Sequence, residues 1–155
     1  MEEKICSVFG HRDVEITDGL RFATLEAINS TIADGCRTFY FGGYSDFDSL
    51  CHELVSKIRE EKPELDIKRV YCVPLERFLR KRVRYFNRED YEDVIYLSPL
   101  FQGWYKSIYY RNCAIIDEST HVIFYAGEKA KSGAYKTYKY AKGKKDKTVI
   151  NLYKE

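Results

Sequence analysis

Four clusters in this chain carry groups able to hold an anion: Gly10-His11-Arg12, Gly42-Gly43-Tyr44 with Asp48 just beyond, Arg111-Asn112, and Ser132-Gly133. Glycine lets backbone N–H groups approach a phosphate closely, a helix N-terminus adds partial positive charge, and arginine offers a planar fork of donors. No single cluster is specific, since Gly-Gly is often only a tight turn and Ser-Gly often only opens a helix. Gathered on one rim, they would cradle a phosphorylated, ribose-containing ligand. The backbone around Gly42-Gly43 and Ser132-Gly133 would hold phosphate with Arg12, while Arg111 and nearby aromatic rings would orient sugar and base.

Several of these residues have a second reading. Asp48 suits a ribose hydroxyl, yet Ser45-x-x-Asp48 is also a helix-start pattern. His11 suits a ligand hydrogen bond or, equally, a bond that locks its own loop. Arg111 suits a pocket or an ion pair with a neighbouring acid. His52 and His121 lack metal-ligand spacing with any Cys or acid and read as structural, so no metal and no cofactor is expected. No G-x-G-x-x-G follows the first strand, and Gly127 and Gly133 lack P-loop spacing, which disfavours NAD binding and ATP hydrolysis.

The clusters must be positioned by the elements around them. Short runs rich in β-branched and aromatic residues recur at 5–9, 38–41, 68–73, 94–97, 121–125 and 148–152, each mostly apolar on both faces, as in a parallel sheet covered on both sides. Helical periodicity lies between them. Thr17 caps a first helix bearing Leu20, Ala23, Ala27, Ile28 and Ile32, with Gly35 as its stop. Phe47, Leu50, Cys51, Leu54, Val55 and Ile58 mark a second. A third runs over 105–118 and a fourth over 132–142, while 75–87 reads as a short helix followed by a loop. This alternation predicts an α/β Rossmann-like three-layer sandwich: a mostly parallel sheet of five to six strands, helices on both faces, in one domain over 1–155. In such sheets ligands sit outside the carboxyl ends of the strands, where three of the clusters fall.

Phe9-Gly10-His11-Arg12, Gly42-Gly43 with Phe47-Asp48, Tyr110-Arg111-Asn112 before Ile116-Asp117, and Ser132-Gly133 together resemble the SLOG superfamily, most of all its small stand-alone bacterial and phage members with a G-H-R start. The resemblance covers nearly the whole chain. It implies a Rossmann-like fold related to LOG-type phosphoribohydrolases and to the DNA-processing protein DprA, and a nucleotide or nucleotide-derived signal as ligand. Arg111 matches the arginine of the LOG E-R-K motif. The glutamate after the LOG P-G-G-x-G-T motif has no counterpart: with Thr137 aligned to the motif threonine, Tyr138, Lys139 and Tyr140 follow. A sensor or sequestering protein without turnover is therefore the first expectation. A nucleoside 5'-monophosphate N-glycosidase, with Asp48, Asp117 or Glu118 as substitute acid, is the enzyme alternative, and a DprA-like single-stranded DNA-binding module is the third.

Composition bounds the partners. A net charge of +2 gives the whole molecule little bulk attraction for nucleic acid, which is disfavoured as a partner on that ground. Residues 129–147 hold eight lysines against one Asp, interleaved with Tyr135, Tyr138 and Tyr140. They read first as a solvated helix face and second as a polyanion surface. No apolar run is long enough to span a membrane and no signal-like N-terminus is seen, so a cytoplasmic location is expected. The five scattered cysteines read as free buried thiols. The wealth of tyrosine, with Trp104, suggests a homodimer.

Overall fold

The computed structural model describes residues 3–42, 45–73, 87–97, 104–128 and 133–154, with backbone only at 104–107. Six strands form one all-parallel sheet: β1 (Ile5–Gly10), β2 (Thr38–Phe41), β3 (Lys68–Val73), β4 (Asp93–Tyr96), β5 (His121–Tyr125) and β6 (Thr148–Asn151), in the order β4-β3-β2-β1-β5-β6. Ile5 lies opposite Thr38 on one side, and Cys6 lies opposite His121 on the other. The order reverses at β1, so the gap between the ends of β1 and β5 is the topological switch point.

Helices α1 (Asp18–Ala33), α2 (Asp46–Glu61), α3 (Trp104–Glu118) and α4 (Gly133–Lys142) connect the strands. Thr17 Oγ1 accepts from the Leu20 N–H at 3.0 Å and Ser45 Oγ from the Asp48 N–H at 2.9 Å, so each N-cap satisfies a donor left over by its helix. Gly35, at φ 110°, ends α1 in the left-handed region.

The period-2 alternation of the strands sorts their side chains into two cores. Cys6 and Val8 of β1, with Phe39, Phe41 and Ile123, pack against Leu20 and Ile28 of α1 and against Phe47, Leu50, Leu54 and Val55 of α2. Ile5 and Phe9, with Tyr40, Val70, Val122 and Phe124, pack against Ile115 and Ile116 of α3 and Ala134 and Ala141 of α4. The result is the three-layer α/β sandwich anticipated from the sequence. Each fully buried large side chain contributes about 1.5–3 kcal/mol of transfer free energy. All five cysteines are free and buried. Among the described residues no helix is long and apolar enough to cross a membrane. The segment 75–87, up to residue 86, lies outside the described residues.

Candidate functional site

Because every strand points the same way, the residues that follow β1, β2, β5 and β6 and the first turns of α2 and α4 share one rim of the sheet. Gly10, His11, Arg12, Gly42, Asp48, Arg111, Asn112 and Gly133 all belong to this rim or to the side chains beneath it. Gly43, Tyr44 and Ser132 lie outside the described residues.

The β1 end is tied down on both sides. A Cβ on Gly10 would overlap the Cβ and ring of Phe47, so glycine here permits close packing of strand on helix. The Arg12 carbonyl accepts from the Asp46 N–H at 2.9 Å, and the Asp46 carboxylate accepts from the Val14 N–H at 3.1 Å. The Arg12 side chain itself is exposed. His11 is 7% exposed; its N–H donates to the Tyr125 carbonyl at 3.1 Å, and its Nε2 accepts from the Gly127 N–H at 2.8 Å. The His11 ring thus ties the end of β1 to the residues that follow β5. Burial holds its pKa below the ordinary histidine range.

Across the switch point, Asn151 and Tyr153 complete the rim, and the sequence had singled out neither. Asn151 Oδ1 accepts from the Ala126 and Tyr153 N–H groups at 3.1 and 3.2 Å, and its Nδ2 donates to the Ala126 carbonyl at 2.9 Å. The Tyr153 ring lies against Gly127 and meets Tyr125 and His11 edge-on, with centroids 5.3 and 5.6 Å apart. The only signal in the sequence is position: Asn151 ends the last strand and Tyr153 lies two residues beyond it.

Arg111 sits beneath the β2 and β3 ends. Its Nη1 donates to the carbonyls of Cys72 at 3.2 Å and Gly42 at 3.5 Å, and Nη2 and Nε donate to Asn112 Oδ1 at 2.7 and 3.1 Å. Asn112 Nδ2 donates to Thr137 Oγ1 at 3.3 Å, and the Thr137 hydroxyl donates to the Gly133 carbonyl at 3.0 Å. Asp48 is buried in the first turn of α2 below its Ser45 cap. Burial first, and the Asp48 carboxylate after it, hold the Cys51 thiol well above its ordinary range.

The fourth helix carries the charge. Ala134, Thr137 and Ala141 face inward, while Lys136, Lys139 and Lys142 are exposed at three-residue intervals. Lys139 and Lys142 stand over the rings of Tyr135 and Tyr138, each 5.5 Å from the centroid, and Lys144 stands 4.8 Å over Tyr140. No acidic residue occurs between 129 and 145.

Asp117 and Glu118, considered as substitute acids, close α3 at the opposite rim. Thr120, two residues beyond, donates its backbone N–H to the Ile5 carbonyl there, at 2.9 Å. Asp117 accepts from the Tyr140 hydroxyl at 2.7 Å and Glu118 from that of Tyr40 at 3.3 Å. That rim also holds His121, with Nε2 3.0 Å from Asp34 Oδ2 and Nδ1 2.8 Å from Thr120 Oγ1 and 3.3 Å from Cys36 Sγ. Among the described residues no group of three or more His, Cys, Asp or Glu is arranged to hold a metal ion.

The architecture is a DprA-like, Rossmann-type fold. DNA processing protein A (DprA) from Streptococcus pneumoniae superposes with a TM-score of 0.62 at 15% identity, over 99% of this chain and 51% of that one. DNA processing protein A from Helicobacter pylori, whose structure addresses its single-stranded DNA binding mode, superposes with a TM-score of 0.62 at 16% identity, over 98% of this chain and 66% of that one. The chain thus spans about half of the first protein and just under two thirds of the second. At this identity the likeness is one of fold and carries no enzyme identity. No protein-family profile and no characterised protein matches the sequence.

These matches overturn the expectation that nucleic acid is disfavoured as a partner: both similar folds are those of DNA-processing proteins. The expectation rested on net charge, which averages over the whole surface. Screening confines electrostatics to about 10 Å at 0.1 M salt, so a local lysine face acts independently of that average.

Proposed function

We propose that the protein binds single-stranded nucleic acid along the strand-end rim and the lysine face of α4. The observation that carries this reading is the helix itself: three exposed lysines in register, two of them held over tyrosine rings, on an element whose first turn opens at the rim. Lysines neutralise phosphates, and half-exposed tyrosines offer stacking surfaces that tolerate any base. Supporting the choice of nucleic acid is the fold shared with DNA processing protein A, one example of which binds single-stranded DNA.

Reach favours a polymer over the mononucleotide first expected. At 1.5 Å per residue the lysine face extends about 9 Å from position 136 to 142, more than one phosphate requires. His11, placed at the switch point where a monophosphate would sit, is turned to Gly127.

Fluorescence anisotropy with labelled oligo-dT tests the proposal. Affinity should fall steeply with salt, and replacing Lys136, Lys139 and Lys142 together by Ala should reduce the slope of log K against log salt by about two, at about 0.7 per phosphate contact. An unchanged slope removes α4 from the interface. No binding at low salt, together with thermal stabilisation by a mononucleotide, would return the reading to a nucleotide binder.

A further inference from the structure

Arg111 matches by sequence the arginine of a nucleotide pocket, yet it is 3% exposed and its donors point into the protein. The bonds it makes have a direction. Nη1 bridges the Gly42 carbonyl just past β2 and the Cys72 carbonyl near the end of β3, and Nη2 and Nε grip Asn112 Oδ1; the Asn112 amide passes to Thr137 Oγ1, and the Thr137 hydroxyl closes on the Gly133 carbonyl in the first turn of α4. Asn112 and Thr137 are buried as well. A Cβ at Gly42 would come within 2.6 Å of Arg111 Nη2, so glycine at that position makes room for the guanidinium, whatever a ligand requires.

We propose that Arg111 is a positioning residue: with Asn112 and Thr137 it forms a buried relay that fixes the backbone at Gly42 and the first turn of α4 relative to each other, shaping the nucleic-acid surface without touching the nucleic acid. The proposal rests on the single-stranded reading above and refines it. A guanidinium suits this place because its planar fork serves two backbone carbonyls and a side-chain amide at once, which a lysine ammonium cannot do in one plane. Burying that charge is tolerable only because it is hydrogen-bonded on several sides. The Asn112 amide has one orientation that satisfies both neighbours, oxygen to Arg111 and nitrogen to Thr137.

The test has two arms. In the first, hydrogen–deuterium exchange is followed on folded protein without nucleic acid. Thr137→Val should speed exchange in the first turn of α4 and leave Ser119 and Thr120 at the opposite rim unchanged. Thr137→Ser, which keeps the hydroxyl, should behave as wild type. Equal exchange in all three proteins overturns the relay. In the second arm, oligo-dT affinity should fall roughly tenfold in Thr137→Val, about the worth of one net hydrogen bond, and recover in Thr137→Ser. Arg111→Gln should also bind more weakly while keeping the wild-type salt slope; a slope lower by about 0.7 means that Arg111 touches phosphate and overturns the proposal. Unchanged affinity in folded Thr137→Val overturns it too, by making the relay purely structural. Should Arg111→Gln fail to fold, the Thr137 pair still decides. Wild-type protein that binds no oligo-dT defeats the single-stranded reading alone, because the exchange arm still judges the relay.

Discussion

The two rims of the sheet hold buried polar groups of similar chemistry and use them differently. At the rim where strands begin, bonds close helix ends onto the strands beside them: the Ser119 hydroxyl donates to the Ile115 carbonyl at 2.6 Å and shares a hydrogen bond with Ser7 Oγ 2.9 Å away, Thr120 is bonded to Ile5, and His121 reaches Asp34 at the end of α1. Helix ends are fastened to the strand starts they meet. At the rim where strands end, His11, Arg111 and Asn151 fasten the backbone of separate strand ends and the residues after them: Tyr125 and Gly127 to the end of β1, Gly42 and Cys72 to α3, and Ala126 to the end of β6. One rim is tied for stability; the other is tied so that several loops keep a common geometry. Function is expected on the second, and disturbing the first should cost stability without touching binding.

The largest effect that would sharpen this contrast comes from Gly10→Ala. Its Cβ would overlap Phe47, a fully buried residue that cannot withdraw, so urea unfolding should show a loss of about 3 kcal/mol, at the upper end for overpacking. Oligo-dT binding should weaken with it, because the displaced helix carries the Asp46 bond to the β1 loop. Next comes Ser119→Ala, which leaves the buried Ser7 hydroxyl without this partner and should cost about 2 kcal/mol by the same measurement. Its oligo-dT affinity should equal wild type once folded fractions are matched. Weakened binding there would break the division between the rims.

The smallest effect is a pH dependence. Burial lowers the pKa of both His11 and His52 in the folded protein. The unfolded chain, with histidines near about 6.5, therefore takes up protons first on acidification. Stability from these groups is complete above that value, declines as pH falls through it, and levels off below the folded pKa values. His11→Gln, whose side-chain oxygen can still accept from Gly127, should flatten the decline in urea midpoint between pH 7.5 and 5. An unaltered decline would assign it to His52 and other groups.

Much of the scaffold was legible in the sequence because two-sided apolar strands announce themselves. The runs at 38–41, 68–73 and 121–125 coincide with β2, β3 and β5, whose side chains are mostly buried on both faces. The edge strand β4 begins one residue earlier than its apolar run, at Asp93, because pairing with Val70 sets its start and edge residues need not be apolar. Thr17 and Ser45 were readable as caps because capping is a local bond. The polar bonds of the rim were not readable. Whether Arg111 faces a ligand or the Cys72 carbonyl depends on residues 39 positions apart meeting in space, and no periodicity encodes that. The role of Thr137 and Asn151 was hidden for the same reason. The lysines of α4 were visible, but an average over the whole chain concealed their meaning.

Every cysteine is enclosed, and the five are divided between the layers: Cys6, Cys36 and Cys51 beneath α1 and α2, Cys72 and Cys113 on the α3 side. Burial raises all five thiol pKa values, that of Cys72 to about 12. The thiolate that alkylating reagents and peroxide require is therefore scarce while the chain stays folded. The molecule consequently carries its own clock: the order in which these sulfurs become chemically competent reports which layer opens first, with no added label.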